Sequence, residues 1–155
     1  MIIAFDTFFL AERFRNVGIY EYTKNLFDEF QRLAVEDRSI DIRYFVSPDD
    51  SEEMELKSSP GFQAVSTGLL RSDWLWRLGL VNYAAILAGV DLIFSPSPQI
   101  VPWRLIPVAV TIHDAIPVRL PRHIVGGSRG LRILTSVAAR MSHTILTDSE
   151  HSKKD

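Results

Sequence analysis

The sequence predicts an α/β domain of the Rossmann-like type, with three layers and a mostly parallel sheet. Two observations support this class. Short, continuous apolar runs are typical of strands buried on both faces, and they alternate along the chain with longer segments whose apolar residues recur every three or four positions, as in amphipathic helices. Strands that alternate with helices are joined by right-handed crossovers, which makes neighbouring strands parallel and covers both faces of the sheet.

The first half of the chain predicts three strands and one clear helix. Ile2–Phe5 is a continuous apolar run. Residues 17–34 carry apolar side chains at three- and four-residue spacing, which predicts a helix. Residues 40–46 alternate between apolar and polar side chains, so they predict a second strand that is less buried than the first. Residues 51–59 are polar and acidic and predict a solvated loop or a short surface helix, after which Phe62–Ser66 predicts a short third strand.

The second half predicts two helices and three strands, again as apolar runs and helical periods between turn residues. Ser72 is suited to cap the first of these helices, and Gly89 is placed to end it. The predicted elements are, in order, a helix over residues 72–88, strands over 92–94 and 108–112, a helix over 128–141 and a strand over 144–147, after which a further helix begins at Asp148-Ser149.

The composition excludes several classes of protein. With 155 residues, of which 46% are hydrophobic, the chain can bury a single core. It has no cysteine for a disulfide or a thiolate metal site, and its net charge of -2 offers no general attraction for nucleic acid. No apolar run reaches the roughly 20 residues of a membrane span. We expect a cytoplasmic protein, and Trp74 and Trp76 with their neighbouring arginines leave contact with the inner face of the membrane open.

Polar residues follow the ends of four predicted strands. They are Asp6, the segment Ser95-Pro96-Ser97, the pair His113-Asp114 and the segment Asp148-Ser149-Glu150. Ligands of open parallel sheets bind outside the carboxyl ends of the strands, because loops and helix N-termini meet there. Each such residue can also mark the point where the chain reaches water. Four ends of this kind together favour a ligand-binding crevice.

Two features at this edge are candidates for function. The turn before the first helix contains Asn16, Val17 and Gly18, and the free N–H groups of the helix could hold an anion such as phosphate there. The alternative is that Asn16 caps the helix and Gly18 eases the turn. His113 ends a buried strand at the rim of the sheet and is the best single candidate, with a structural histidine as the alternative. Asp114 could orient its ring or cap a turn.

Other catalytic motifs fit less well. The sequence contains neither G-x-G-x-x-G nor a Walker A motif, which disfavours NAD and P-loop chemistry. Gly126-Gly-Ser-Arg-Gly130 matches the G-x-S-x-G pattern of hydrolases, and Asp148 and His151 follow in the matching order. That motif needs a strand before Ser128, however, and only Ile124-Val125 is apolar there. The histidines lack metal-ligand spacing, so we expect no bound metal.

Four segments give the chain a family resemblance, one at the start of the first helix and three at strand ends. They are Gly18-Ile-Tyr-Glu-Tyr-Thr-Lys-Asn-Leu26, Asp91-Leu-Ile-Phe-Ser95, Val110-Thr-Ile-His-Asp-Ala-Ile-Pro117 and Thr147-Asp-Ser-Glu-His-Ser-Lys153. Through them the chain resembles the N-terminal domain of the GT-B retaining glycosyltransferases of the group 1 or family 4 type. That group includes sucrose and trehalose synthases and bacterial mannosyl- and glucosyltransferases.

The resemblance implies transfer of a sugar from a nucleotide-sugar donor to an acceptor, with retention at the anomeric carbon and without a metal or other cofactor. It implies that His113 is the catalytic residue beside the donor sugar. Many members carry two glycines in the turn where this chain has only Gly18, which weakens the case for a phosphate contact. The substrate-binding residues that we expect are Asn16, Val17, Gly18, Asp114, Ser149 and Glu150.

The resemblance also implies a second domain. In the family a donor-binding domain follows the helix that begins at Ser149, so residues 1–155 would form the acceptor-side half and be inactive alone. The expected partners of the whole protein are a nucleotide-sugar and an acceptor, which is a glycan, a lipid or a small molecule. The alternative is a non-catalytic Rossmann-like module that binds a small anion or another protein.

Overall fold

The computed structural model describes residues 1–46, 59–66, 75–98, 103, 105–113 and 128–148. Six strands within these ranges form one sheet in the order β3-β2-β1-β4-β5-β6, and every neighbouring pair is parallel. The predicted α/β, Rossmann-like class is therefore confirmed, with a wholly parallel sheet among the described strands. The strands are β1 (Ile2–Phe5), β2 (Asp41–Val46), β3 (Phe62–Ser66), β4 (Leu92–Ser95), β5 (Val108–Thr111) and β6 (Thr144–Leu146).

Three α-helices accompany the sheet in the described residues, and they are α1 (Gly18–Glu36), α2 (Val81–Leu87) and α3 (Ser128–Met141). Short 3₁₀ turns at Phe8–Leu10 and Glu12–Phe14 lead from β1 to α1. The bounds of α1 and α3 agree with the prediction. Most of the predicted loop over residues 51–59, and the helix predicted after Asp148, lie outside the described residues.

Helices α1 and α2 pack against opposite faces of the sheet. Successive residues of a strand point to opposite faces. Ala4 of β1 accordingly belongs to one core with Val81 and Ala85 of α2, whereas Phe5 belongs to a second core with Phe27 of α1. Because the central strands are covered on both faces, nearly every position must be apolar, which explains their continuous apolar runs.

Strand β2 is more buried than its alternating sequence predicts. Ile42, Tyr44 and Phe45 are all fully buried. The reason is position, since β2 lies between β3 and β1 and both of its faces contribute to a core. The half-buried Arg43 extends to Gln63 of β3, with 2.7 Å between its Nη1 and the side-chain amide oxygen of Gln63. Asp41 is exposed, whereas β1 has no exposed residue, so β2 is less buried than β1 as predicted, although its second face is also covered.

The helix predicted over residues 72–88 is interrupted. Trp76–Leu80 forms a π-helical turn in which Gly79 has a left-handed backbone (φ 85°), and α2 begins only after it. A left-handed residue breaks the helical hydrogen-bond ladder, and glycine adopts this conformation at little cost. The predicted N-cap Ser72 lies outside the described residues.

The end of α2 agrees with the prediction at Gly89. This residue is left-handed (φ 63°), its amide donates to the carbonyl of Ile86, and the amide of Val90 donates to the carbonyl of Ala85. These two bonds form a Schellman motif, which satisfies the last carbonyl groups of a helix. The chain then turns directly into β4.

Candidate functional site

A pocket of about 590 Å³ opens where the ends of β4, β5 and β6 meet the start of α1. From β1 the sheet continues through β2 and β3 on one side and through β4, β5 and β6 on the other. Ligands of open parallel sheets bind beside such a switch in strand order. Small-molecule sites typically measure about 300–1,000 Å³, so the pocket has a suitable size. It is lined by Phe9, Val17, Gly18, Ile19, Tyr22, Ser97, Pro98, His113, Leu131, Thr135 and Asp148.

The pocket brings together some of the predicted site residues. His113 lines it, and so do Val17 and Gly18 from the turn before α1. Asn16 is described but is not among the lining residues. The three remaining predicted substrate-binding residues, Asp114, Ser149 and Glu150, lie outside the described part of the chain.

His113 is held by groups from three other segments. Its Nε2 lies 3.0 Å from the carbonyl oxygen of Pro96, and its Nδ1 lies 3.1 Å from Oδ2 of Asp148. The ring of Tyr22 stands edge-on to the imidazole, with 4.6 Å between the ring centroids. The Tyr22 hydroxyl in turn lies 3.2 Å from Oγ1 of Thr111. The histidine therefore joins the ends of β4 and β6 to the first helix.

Both ring nitrogens of His113 face oxygen atoms, which limits its chemistry. A backbone carbonyl can only accept, so Nε2 donates its proton to Pro96. The carboxylate of Asp148 also accepts, and both contacts are satisfied at once when the ring is the imidazolium cation. The side chains of His113 and Asp148 are 26% and 44% exposed, so this pair remains accessible to a ligand. The contacts with Pro96 and Asp148 fix the orientation of the ring at the pocket.

Helix α1 begins at the pocket without a side-chain cap. Val17 is the N-cap residue, in an extended conformation, and makes no capping bond, so the alternative in which Asn16 caps the helix is wrong. The positive end of the helix dipole therefore points toward Gly18 and Ile19, which line the pocket. A Cβ added at Gly18 would meet no atom within 4 Å. Packing within the described residues does not require a glycine at this position.

Several lining residues were not predicted from the sequence to belong to the site. Leu131 and Thr135 lie four residues apart on one face of α3 and both line the pocket. Their spacing groups them, but it does not show that their face meets a pocket. Tyr22, one turn after Gly18, belongs to the periodic face of α1 and was read only as packing. Asp148 was noted at a strand end, and only the tertiary structure pairs it with His113.

Thr135 is also the one buried lining hydroxyl without a partner among the described residues. Its side chain is 4% exposed, and Oγ1 makes no hydrogen bond there. Leaving a buried hydroxyl unpaired costs about 1–3 kcal/mol. Within the described part of the chain, the wall of the pocket therefore contains a polar group without a partner.

Asp6, although it ends β1 as predicted, does not line the pocket. It is 2% exposed. Burial raises the pKa of its carboxyl, while hydrogen bonds from Ser95, the amide of Phe8 and the indole of Trp76 lower this pKa in part. The indole nitrogen of Trp76 donates to Oδ1 at 2.8 Å. Because Trp76 is only 3% exposed, its ring is not available to a membrane surface.

The described residues also bear on the hydrolase motif, on metal binding and on membrane-spanning helices. Asp148, which the hydrolase order would pair with His151, contacts His113 instead, and His151 lies outside the described ranges. Ser128 is the first residue of α3. No three histidine or acidic residues in the described ranges are grouped so that they could hold a metal ion. None of the described helices is long and apolar enough to cross a membrane.

Fold and pocket together define a Rossmann-like α/β domain with a ligand-sized site at the carboxyl edge of its sheet. No family model matches the chain, and no curated protein matches it. Among solved structures, the chain is similar to Arabidopsis thaliana UGT89C1 complexed with UDP-L-rhamnose, with a TM-score of 0.47 and 13% sequence identity. The similarity covers 96% of this chain and 44% of that protein. The chain thus spans less than half of the length of UGT89C1.

Proposed function

We propose that this chain is the N-terminal, acceptor-side domain of a retaining glycosyltransferase. The observation that carries the proposal is the convergence of His113 and Gly18 on one pocket of about 590 Å³. Both residues belong to segments that resemble this family, yet they are far apart in the sequence. Both were expected at the carboxyl edge of the sheet, and their approach to one pocket is the geometry that the proposed donor site requires.

The start of α1 is the contact that we assign to the phosphates of a nucleotide-sugar. Uncapped N–H groups and the helix dipole attract anions at such a terminus. Gly18 has no side chain to keep a phosphate away from the backbone, and a Cβ there would occupy open space. His113 lines the same pocket with its ring orientation held by Pro96 and Asp148, which supports a contact between this ring and a bound donor.

The remaining walls of the pocket suit a sugar. A sugar ring has apolar C–H faces and a rim of hydroxyl groups, and ligand sites of this kind combine apolar walls with a few oriented polar groups. Phe9, Ile19 and Leu131 supply apolar surface, while Asp148 supplies carboxylate oxygens that can accept from sugar hydroxyls. In this proposal His113 contacts the donor sugar and stabilises charge that develops on its leaving group.

A second, donor-binding domain completes the reaction centre in this proposal. The pocket is one wall of a cleft, and closure of the second domain over it would exclude the water that hydrolyses an activated sugar. The whole enzyme would use a nucleotide-sugar as co-substrate and require no metal. Its acceptor would be a glycan, a lipid or a small molecule.

The test is His113→Ala in the protein encoded by the whole reading frame. We expect kcat/KM for sugar transfer, measured with UDP-, GDP- and ADP-sugars, to fall by about 100-fold or more, the effect of removing one preorganised group that stabilises charge. The matched control is His143→Ala, because the exposed His143 does not line the pocket. Transfer by His113→Ala at the control rate would contradict the assignment of His113.

The second candidate is a non-catalytic module that binds a small anion. The observation that favours it is that the uncapped start of α1 and His113 already line one pocket within this single domain. Titration of the ¹⁵N-labelled chain with inorganic phosphate would then shift the amide signals of Gly18 and Ile19. If the protein from the whole reading frame also transferred no sugar from any of the donors, this candidate would replace the transferase.

A further inference from the structure

The carboxyl group of Asp6 lies at the centre of a buried hydrogen-bond network. Its Oδ1 accepts from the amide of Phe8 at 3.1 Å and from the indole of Trp76 at 2.8 Å. Its Oδ2 lies 2.7 Å from the hydroxyl oxygen of Ser95 at the end of β4. The carboxyl thus connects the turn after β1, the turn before α2 and the end of β4.

Whether all the hydrogen bonds of this network can form at once depends on whether Asp6 is protonated. The hydroxyl oxygen of Ser95 also lies 2.8 Å from the carbonyl oxygen of Ser97. A serine hydroxyl has one proton, and a carbonyl oxygen can only accept. If Asp6 were ionised, Ser95 could donate to the carboxylate or to Ser97, but not to both. A proton on Oδ2 resolves this, because Asp6 then donates to Ser95 and Ser95 donates to Ser97.

We propose that Asp6 is a neutral carboxylic acid under conditions in which exposed aspartates are ionised, and that its proton fixes the loop that positions His113. The loop contains Pro96, which lies between the two serines of the network and whose carbonyl accepts from Nε2 of His113 at 3.0 Å. Asp6 is therefore a positioning residue that acts through the Pro96 carbonyl. It touches neither the pocket nor a ligand.

The surroundings of the carboxyl favour the neutral form. Asp6 is 2% exposed, and its partners are a backbone amide, an indole and a hydroxyl, all of them uncharged. An ionised carboxylate without a cation in such a site is costly, so the group takes up a proton instead. Burial is accordingly the largest cause of its raised pKa, ahead of the hydrogen bonds that lower it.

A definite pH dependence of stability follows. The pKa of Asp6 in the folded protein lies above its ordinary value of 3.8 in an unfolded chain. The contribution of Asp6 to stability is therefore fully present below that ordinary value and is lost as the pH rises through the folded-state pKa. Asn cannot ionise, so Asp6→Asn removes this loss while the other carboxyl groups titrate as before.

Asp6→Asn is also the isosteric imitation of the protonated acid. Its amide oxygen can accept from Phe8 and Trp76, and its NH₂ group can donate to Ser95 as the acid proton would. We expect Asp6→Asn to unfold in urea at the same concentration as the wild type at acidic pH and at a higher one at alkaline pH. Asp6→Ala, which lacks both functions, should unfold at a lower concentration throughout. Asp6→Asn as damaging as Asp6→Ala would overturn the proposal.

Two NMR measurements on the intact chain test the proposal directly. The ¹³Cγ signal of Asp6 should titrate well above the aspartate signals of the urea-unfolded chain, and a signal that titrates with them would overturn the neutral acid. The ring ¹⁵N signals of His113 should be kept in Asp6→Asn and shifted in Ser95→Ala. If Ser95→Ala leaves them unchanged, Asp6 does not position His113. Neither measurement uses a sugar donor, so the outcome is independent of the proposed transferase activity.

Discussion

Two polar side chains in the pocket differ in how their hydrogen bonds are satisfied. His113 has an oxygen atom at each ring nitrogen, so its orientation is constrained by the protein. Oγ1 of Thr135 is buried and has no partner in the described ranges. A buried hydroxyl without a partner lowers stability. The pocket thus combines an oriented histidine ring with a hydroxyl that has no partner among the described residues.

Replacing this hydroxyl tests whether it is unsatisfied in solution. Thr135→Val keeps the shape of the side chain and removes the unpaired oxygen, so we expect the free energy of unfolding to rise by about 1 kcal/mol. Urea denaturation measures this difference. The matched control is Thr23→Val, since the buried Thr23 already donates to the carbonyl of Ile19 at 2.7 Å and gains nothing from the change. A loss of stability in Thr135→Val would mean that the hydroxyl has a partner.

At the level of elements, helix α1 contributes to the pocket at its first turns and to the core further along its length. Phe27 on its inner face packs into the core beside Phe5, with 5.6 Å between the ring centroids. Its uncapped first turn, by contrast, meets the pocket. Because α1 is anchored by its core contacts, its N-terminus is held rigidly enough to present N–H groups to a ligand. Stability and binding should therefore be separable at the first turn.

Alanine substitutions at two glycines test whether stability and binding can be separated at the first turn of α1. Gly18 and Gly130 begin or lie within helices, and a Cβ would meet no atom within 4 Å at either position. We expect Gly18→Ala and Gly130→Ala each to stabilise the fold by about 0.4–1 kcal/mol, because alanine reduces the freedom of the unfolded chain. Thermal or urea denaturation measures this gain.

Only Gly18→Ala should affect the pocket, because Gly130 does not line it. We expect Gly18→Ala to weaken binding of inorganic pyrophosphate, the group that nucleoside-diphosphate sugars share, by about tenfold or more, which corresponds to 1.4 kcal/mol. Titrations of the ¹⁵N-labelled chain followed by NMR measure this. Equal pyrophosphate binding by the two variants would remove the helix start from the proposed donor contact.

At the level of the whole molecule, the strand order brings the site together. The switch in strand order between β1 and β4 places the ends of β4, β5 and β6 beside the start of α1. Parallel pairing aligns all of these ends at one edge of the sheet, since each strand runs in the same direction. The residues in the pocket come from five separate segments of the chain, and none of these segments could form it alone.

The proposed division of labour predicts that this chain alone transfers no sugar. The pocket forms one wall of the proposed cleft, and the nucleotide would be held mainly by the second domain. We therefore expect no transfer from UDP-, GDP- or ADP-glucose to glycan or lipid acceptors, measured with radiolabelled donors. Calorimetry should show at most weak donor binding. Tight binding of any of these nucleotide-sugars by the chain would contradict the proposed division.

The sequence by itself determined the class of fold and the bounds of most elements, because these depend on local patterns. A strand covered on both faces must be apolar throughout, and a helix on a sheet must be apolar on one face, so β1, β4, β5, α1 and α3 are readable without a structure. These local patterns do not predict features that depend on neighbouring elements of the fold. They did not show that both faces of β2 contribute to a core, and they missed the break at Gly79 before α2.

Only the tertiary structure decided which polar residues meet. His113 was identifiable as a strand end, but its contacts with Pro96 and Asp148 depend on the pairing of β5 with β4 and β6. The bond between Asp6 and Ser95, 89 residues apart, likewise exists because β1 pairs with β4. Periodicity records how each segment meets a core, whereas partners across the sheet are set by long-range pairing that leaves no local pattern.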